Sequence, residues 1–163
     1  MVGVARLYVD EQRRQLAQVR RRMAALLEIM DDQDIIWRPA ARLPTAVELA
    51  RRMCDQIVER LGANLNRRDW FPPLAATAPP TPSVALLRAE LDATLAAADD
   101  VLRRLPLAML VDPAPGPRPA SNLEHLSIAV AACHEAASQL RFIAALRLGP
   151  AALALGGGDD PGA

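Results

Sequence analysis

Apolar residues recur along this chain at three- and four-residue steps, in stretches that prolines separate from one another. The prolines leave four long proline-free runs, 1–38, 45–71, 83–105 and 120–149. A proline inside a helix costs about 3 kcal/mol, so each run is read as one helix. In the first, Leu16, Val19, Met23, Leu26, Leu27 and Met30 paint a single stripe, with Arg13, Arg14, Arg20 and Arg21 elsewhere. That helix is predicted to end around residues 31–34, because Asp31, Asp32 and Asp34 lie badly at the negative end of a helix dipole.

The other three runs carry start and stop signals. Thr45 and Glu48 form a T-x-x-E capping box directly after Pro44, and the series Leu49, Met53, Ile57, Leu61 follows. Thr81 is expected to cap the third helix with Pro82 in its first position, Leu87, Leu91, Leu95 and Leu102 marking the inner face and Pro106 closing it. Ser121 and Glu124 form a second capping box. The run from there to Leu148 is apolar nearly all round, which predicts the most buried helix, and Gly149-Pro150 stops it.

Proline-rich loops at 66–80 and 107–119 are long for a compact bundle and mark crossovers or lids. A Gly-Gly-Gly-Asp-Asp run near the end predicts a flexible tail. The expected architecture is all-α: one four-helix bundle over residues 1–149 with at least one long crossover, and a tail over 150–163.

Composition supports the helical reading. Hydrophobic residues make up 52% but aromatics only 3%, so the apolar mass is Ala, Leu, Val and Met. Nineteen acidic residues balance nineteen basic ones, every one an arginine, which removes any general pull toward nucleic acid or an anionic membrane. The arginine-rich face of the first helix has no interleaved aromatics and reads as a solvated face. No apolar stretch reaches the roughly 20 residues of a membrane span, and the N-terminus lacks an export signal, so a soluble cytoplasmic protein is expected. Cys54 and Cys133 fall in different helices and read as buried reduced thiols. Cys133 gains no base from His134, since adjacent helical side chains point about 100° apart.

Several segments bear a family likeness. Leu26-Leu27-Glu28-Ile29-Met30, followed by Gln33-Asp34-Ile35-Ile36-Trp37-Arg38-Pro39, resembles the end of helix one in the DinB/YfiT-like superfamily. Thr45-Ala46-Val47-Glu48-Leu49 is similar to that family's second-helix opening, and His134-Glu135-Ala136 with the ending at 146–149 to its last helix. The resemblance spans residues 26 to 149. It implies a four-helix bundle, commonly dimeric, in which many members hold zinc or nickel through three histidines. Some relatives are thiol-dependent transferases or isomerases, and many are presumed hydrolases.

The resemblance also implies where a site would lie. The family's first ligand position, one turn into helix two, is matched here by Arg52, and its H-x-x-x-H pair on the last helix by His134 and Ser138. A guanidinium stays protonated and a serine hydroxyl is a weak ligand, so the expectation is a degenerate site without cofactor, zinc or nickel being the alternative. Arg52 is expected instead to point inward toward His134 and Ser138 and to receive a small anionic ligand, with Glu135 and Trp70 as pocket neighbours. The competing reading pairs Arg52 with Glu48 or Asp55 along its own helix. His125, nine positions before His134, lies on the opposite side of their helix. No catalytic residue is assigned. The expected function is a homodimeric, ligand-binding bundle. Left open are a metal- or thiol-dependent transferase or hydrolase, and a non-catalytic dimerisation or binding module.

Overall fold

A computed structural model of the chain describes residues 2–63, 65, 67–72, 82–110 and 121–155. Five α-helices lie among them: α1 (Val2–Glu28), α2 (Asp32–Ile36), α3 (Ala46–Ile57), α4 (Val84–Arg104) and α5 (Asn122–Leu148). The four long ones form the bundle. α1 packs chiefly on α4 and α5, and α3 packs on the same two, so α1 stands diagonal to α3 and α4 diagonal to α5. Both the α1–α3 and the α4–α5 connections therefore cross the bundle.

The stripes read from the sequence are the core. Leu16, Val19, Met23, Leu26, Leu27 and Met30 are buried, as are Leu49, Met53, Ile57 and Leu61, and on α4 Leu87, Leu91, Leu95 and Leu102. Both capping boxes form. Thr45 Oγ1 accepts from the Glu48 amide at 3.2 Å while Glu48 Oε2 accepts from the Thr45 amide at 2.9 Å, and Ser121 and Glu124 do the same for α5. Each reciprocal pair satisfies two amides that a helix start leaves unpaired.

Local chemistry departs from expectation in several places. The aspartates do not end α1: Asp31 caps a new short helix, its Oδ1 accepting from the Gln33 and Asp34 amides at 2.8 Å each. Carboxylates that would be repelled at a helix C-terminus are stabilising at an N-terminus, and the chain uses them so. α4 is capped by Ser83, whose Oγ accepts from the Leu86 amide at 3.3 Å, and Pro82 precedes the cap; Thr81 lies outside the described residues. α3 runs on through a π-helical turn, Val58–Ala63, before a 3-10 turn at Arg68–Trp70. Gly62 is closely packed at that junction: a Cβ there would meet Phe71 Cδ2 at 3.1 Å and the Arg68 Cα at 3.3 Å, so a side chain would require its neighbours to shift.

α5 is not covered all round. It buries a stripe containing Leu126, Val130, Cys133, Ala137, Leu140 and Ala144, yet Ile128, Phe142, Leu146 and Leu148 are 41–55% exposed. α1, α3 and the short turns beside them cover that stripe and leave these side chains outward. The chain does not leave the bundle at Gly149 either. That glycine takes φ +100° as the α5 cap, and a 3-10 turn at Pro150–Leu153 folds back on α5, burying Ala152 and packing Leu155 against the core. The rest of the expected tail, 156–163, lies outside the described residues.

Candidate functional site

At about 100° per residue, the buried stripe of α5 has two flanks. Ala132, Glu135, Ala136 and Gln139 fall on the flank turned to α3; Ala137, Ser138 and Arg141 fall on the flank turned to α1. The expected site residues divide between these flanks.

On the α3 side a groove with room for about 140 Å³ runs between the two helices. Leu49, Met53 and Ala136 give it an apolar floor, and Arg52, Gln56, Glu135 and Gln139 give it a polar rim. Arg52 is exposed, and its charge contributes to the lowering of the Glu48 carboxyl. Larger contributions to that shift come from the Thr45 amide and the Arg38 guanidinium. The expected inward pose toward His134 and Ser138 is not adopted, because those residues occupy the other flank of α5. What the groove does bring to Arg52 is Glu135, whose Oε1 accepts a 2.9 Å hydrogen bond from Gln139 Nε2. A cation, a carboxylate and two amides thus surround an apolar floor, an arrangement suited to a small ligand with charges of both signs.

On the α1 side, Ser138 lines a narrower groove with Arg22, Leu26, Arg141 and Leu155, and its Oγ donates to the His134 carbonyl at 2.9 Å. His134 is half-buried, and burial, then the charge of Arg22, push its pKa below the usual imidazole range. Arg52, His134 and Ser138 do not share one groove. Among the described residues no three His, Cys, Asp or Glu side chains are grouped to hold a metal ion. With one imidazole, one guanidinium and one hydroxyl split over two flanks, the donor set does not fit zinc or nickel.

Trp70 lines neither groove. It packs against the core, with the guanidinium of Arg67 at 5.1 Å and that of Arg104 at 5.3 Å from its ring centroid, tying the turn after α3 to the end of α4. His125 turns to the π-helical turn instead, where Arg60 Nη1 donates to its Nδ1 at 2.9 Å. A guanidinium only donates, so the ring nitrogen facing Arg60 is the acceptor of that contact. Neither thiol is poised as a nucleophile. Burial pushes Cys54 and Cys133 up to about 12, and the Thr94 hydrogen bond to Cys54 offsets only part of that.

Sequence reasoning missed Gln56, Gln139 and Arg22, which are polar residues at ordinary helical positions. The signal was present for two of them: Gln139 lies four residues after Glu135 and Gln56 four after Arg52, so each pair shares a helix face.

A family model described as the DinB superfamily matches residues 15–143. No curated protein and no solved structure matches the chain.

Proposed function

The chain belongs to the DinB superfamily, and from that premise we propose that it is a metal-free, ligand-binding member that uses the groove between α3 and α5. The observation that carries this reading is that Arg52 and Glu135 both line the rim of one groove that has an apolar floor. Arg52 receives a carboxylate or phosphate of the ligand through its forked donors, and Glu135 receives an amine or another donor. About 140 Å³ accommodates a molecule of roughly amino-acid size, not a cofactor.

The test is calorimetric titration of α-amino acids and small dicarboxylates into protein purified without chelator. Saturable binding of an amino acid, weakened by Arg52→Ala and separately by Glu135→Gln, is the expected result. Absence of binding by any of these compounds, or binding indifferent to both substitutions, would remove the reading. Elemental analysis of the same preparation is expected to find no stoichiometric zinc or nickel, and near one equivalent of either would return the metal-dependent transferase or hydrolase to favour.

A second reading rests on a separate observation. Ile128, Ala132, Glu135, Gln139, Phe142 and Leu146 follow one another at steps of four and three on α5, and the apolar members at both ends of this stripe are exposed. A homodimer formed about a two-fold axis over this stripe would cover Phe142 and Leu146 and bring Arg52 of each protomer near Glu135 of its partner. In that assembly the groove is part of a dimerisation surface.

A further inference from the structure

We propose that the groove between α3 and α5 is polarised, with hydrogen-bond donors on α3 and acceptors on α5, and that it selects a free α-amino acid with an uncharged aliphatic side chain. Gln139 is the positioning residue for the ammonium group of that ligand. This rests on the reading of the groove as a ligand site and names the class of ligand it takes.

The donor side is Arg52. Among the described residues its guanidinium enters no ion pair or hydrogen bond. Glu48, one turn earlier on α3, is already engaged: its Oε2 accepts from the Thr45 amide at 2.9 Å, and its Oε1 accepts from Arg38 Nη2. Arg52 acts on that carboxylate through its charge alone, so its forked N–H donors remain for the carboxylate of a ligand.

The acceptor side follows from one hydrogen bond, donated by Gln139 Nε2 to Glu135 Oε1 at 2.9 Å. An ionised carboxylate only accepts, so the amide turns its nitrogen to Glu135 and its own carbonyl is left over. Among the described residues neither that carbonyl nor Glu135 Oε2 has a hydrogen-bond partner. Two acceptors one turn apart on α5, one of them charged, suit an ammonium group, which only donates. The same hydrogen bond holds the Glu135 carboxylate in place, which spares a ligand part of the cost of ordering it.

Between the two sides, Leu49, Met53, Ala132 and Ala136 offer a ligand's side chain apolar contact. The remaining polar residue, Gln56, is neutral and supplies no further counter-charge. A second carboxylate on the ligand would find Arg52 taken and Glu135 opposed to it, and a second cation would find Glu135 taken and Arg52 opposed to it.

The experiment titrates L-valine, L-aspartate and isovalerate, which is valine without its amino group, into the full chain and reads binding by calorimetry at constant pH and ionic strength. Valine is expected to bind at least about tenfold more tightly than either of the others. Gln139→Met keeps the length of the side chain without its amide, and Gln139→Leu is a second variant of the same kind. Each is expected to weaken valine about tenfold and leave isovalerate unchanged, a split that a general loss of structure would not give. Failure of all three compounds to bind removes the groove as a ligand site, and this proposal with it. Binding that Arg52→Ala weakens but that does not separate valine from aspartate, or a preference for valine over isovalerate that survives both Gln139 variants, overturns this proposal while the groove reading stands.

Discussion

Arg147, in the last turn of α5, donates through Nε to Oδ1 of Asp34 at 2.8 Å, while its guanidinium lies 5.5 Å from the centroid of the Trp37 ring. The other carboxylate oxygen of Asp34 accepts from the Asp31 amide at 3.0 Å, completing the cap of α2. One side chain, 9% exposed, therefore fastens the turn after α1 to the end of the last helix. Replacing Asp34 by Ala is expected to cost about 2–3 kcal/mol in urea denaturation, from a lost cap and a largely buried ion pair. A change within about 0.5 kcal/mol, the range of ordinary surface substitutions, would show that this tie contributes nothing.

The same carboxylate sets an acid limb. Burial raises the Asp34 pKa, but the Asp31 amide and Arg147 together outweigh it and hold the carboxyl below its usual value. Glu48 is lowered as well, first by the Thr45 amide and then by Arg38. A carboxyl depressed in the folded state contributes stability that is complete above the unfolded value of about 4 and is lost as pH falls through the folded one. The urea midpoint should thus hold steady above about pH 5 and decline below it, and Asp34→Asn should flatten that decline.

Cys54 and Cys133 should resist thiol reagents in the folded chain. Both side chains are buried and their thiols are held near 12, so almost no thiolate exists at pH 8. With an aromatic disulfide reagent, labelling is expected only at the rate of unfolding, and both thiols should react promptly in urea. Fast labelling of either one under native conditions would contradict the packing.

Exposed apolar residues on α5 give a prediction about assembly. Phe142 is 55% exposed and Leu146 51%, on the stripe that also carries Glu135. If the stripe closes a two-fold interface, sedimentation at micromolar concentration will report a dimer, and Phe142→Glu will shift it to monomer while far-ultraviolet circular dichroism stays unchanged. A wild-type chain that sediments as a monomer ends the dimer reading.

The four long helices, two of their caps and the core were legible because each rests on local rules. Thr45 with Glu48 and Ser121 with Glu124 announce helix starts through spacing alone, and the step of three and four picks out Leu87, Leu91 and Leu95. Asp31 was misjudged because a carboxylate is unfavourable at one helix end and favourable at the other, and the sequence does not say which end it occupies. The grooves were harder to read. Whether His134 and Ser138 share a space with Arg52 depends on the rotation of α5 about its axis, and a helix with apolar residues on nearly every side leaves that rotation undetermined until its neighbours are placed. Arg22, far away on α1, gave no signal at all.

The diagonal order of the helices bears on how the chain is made. A ribosome releases α1, α2 and α3 first, and in the finished fold α1 and α3 each rest on α4 and α5 rather than chiefly on one another. The nascent N-terminal half therefore carries two apolar stripes with no native surface to cover them until α4 emerges, and the last of that surface arrives only with α5. Docking is postponed to the end of synthesis, and during that interval Leu16, Val19, Met53 and Ile57 are the residues a chaperone would meet.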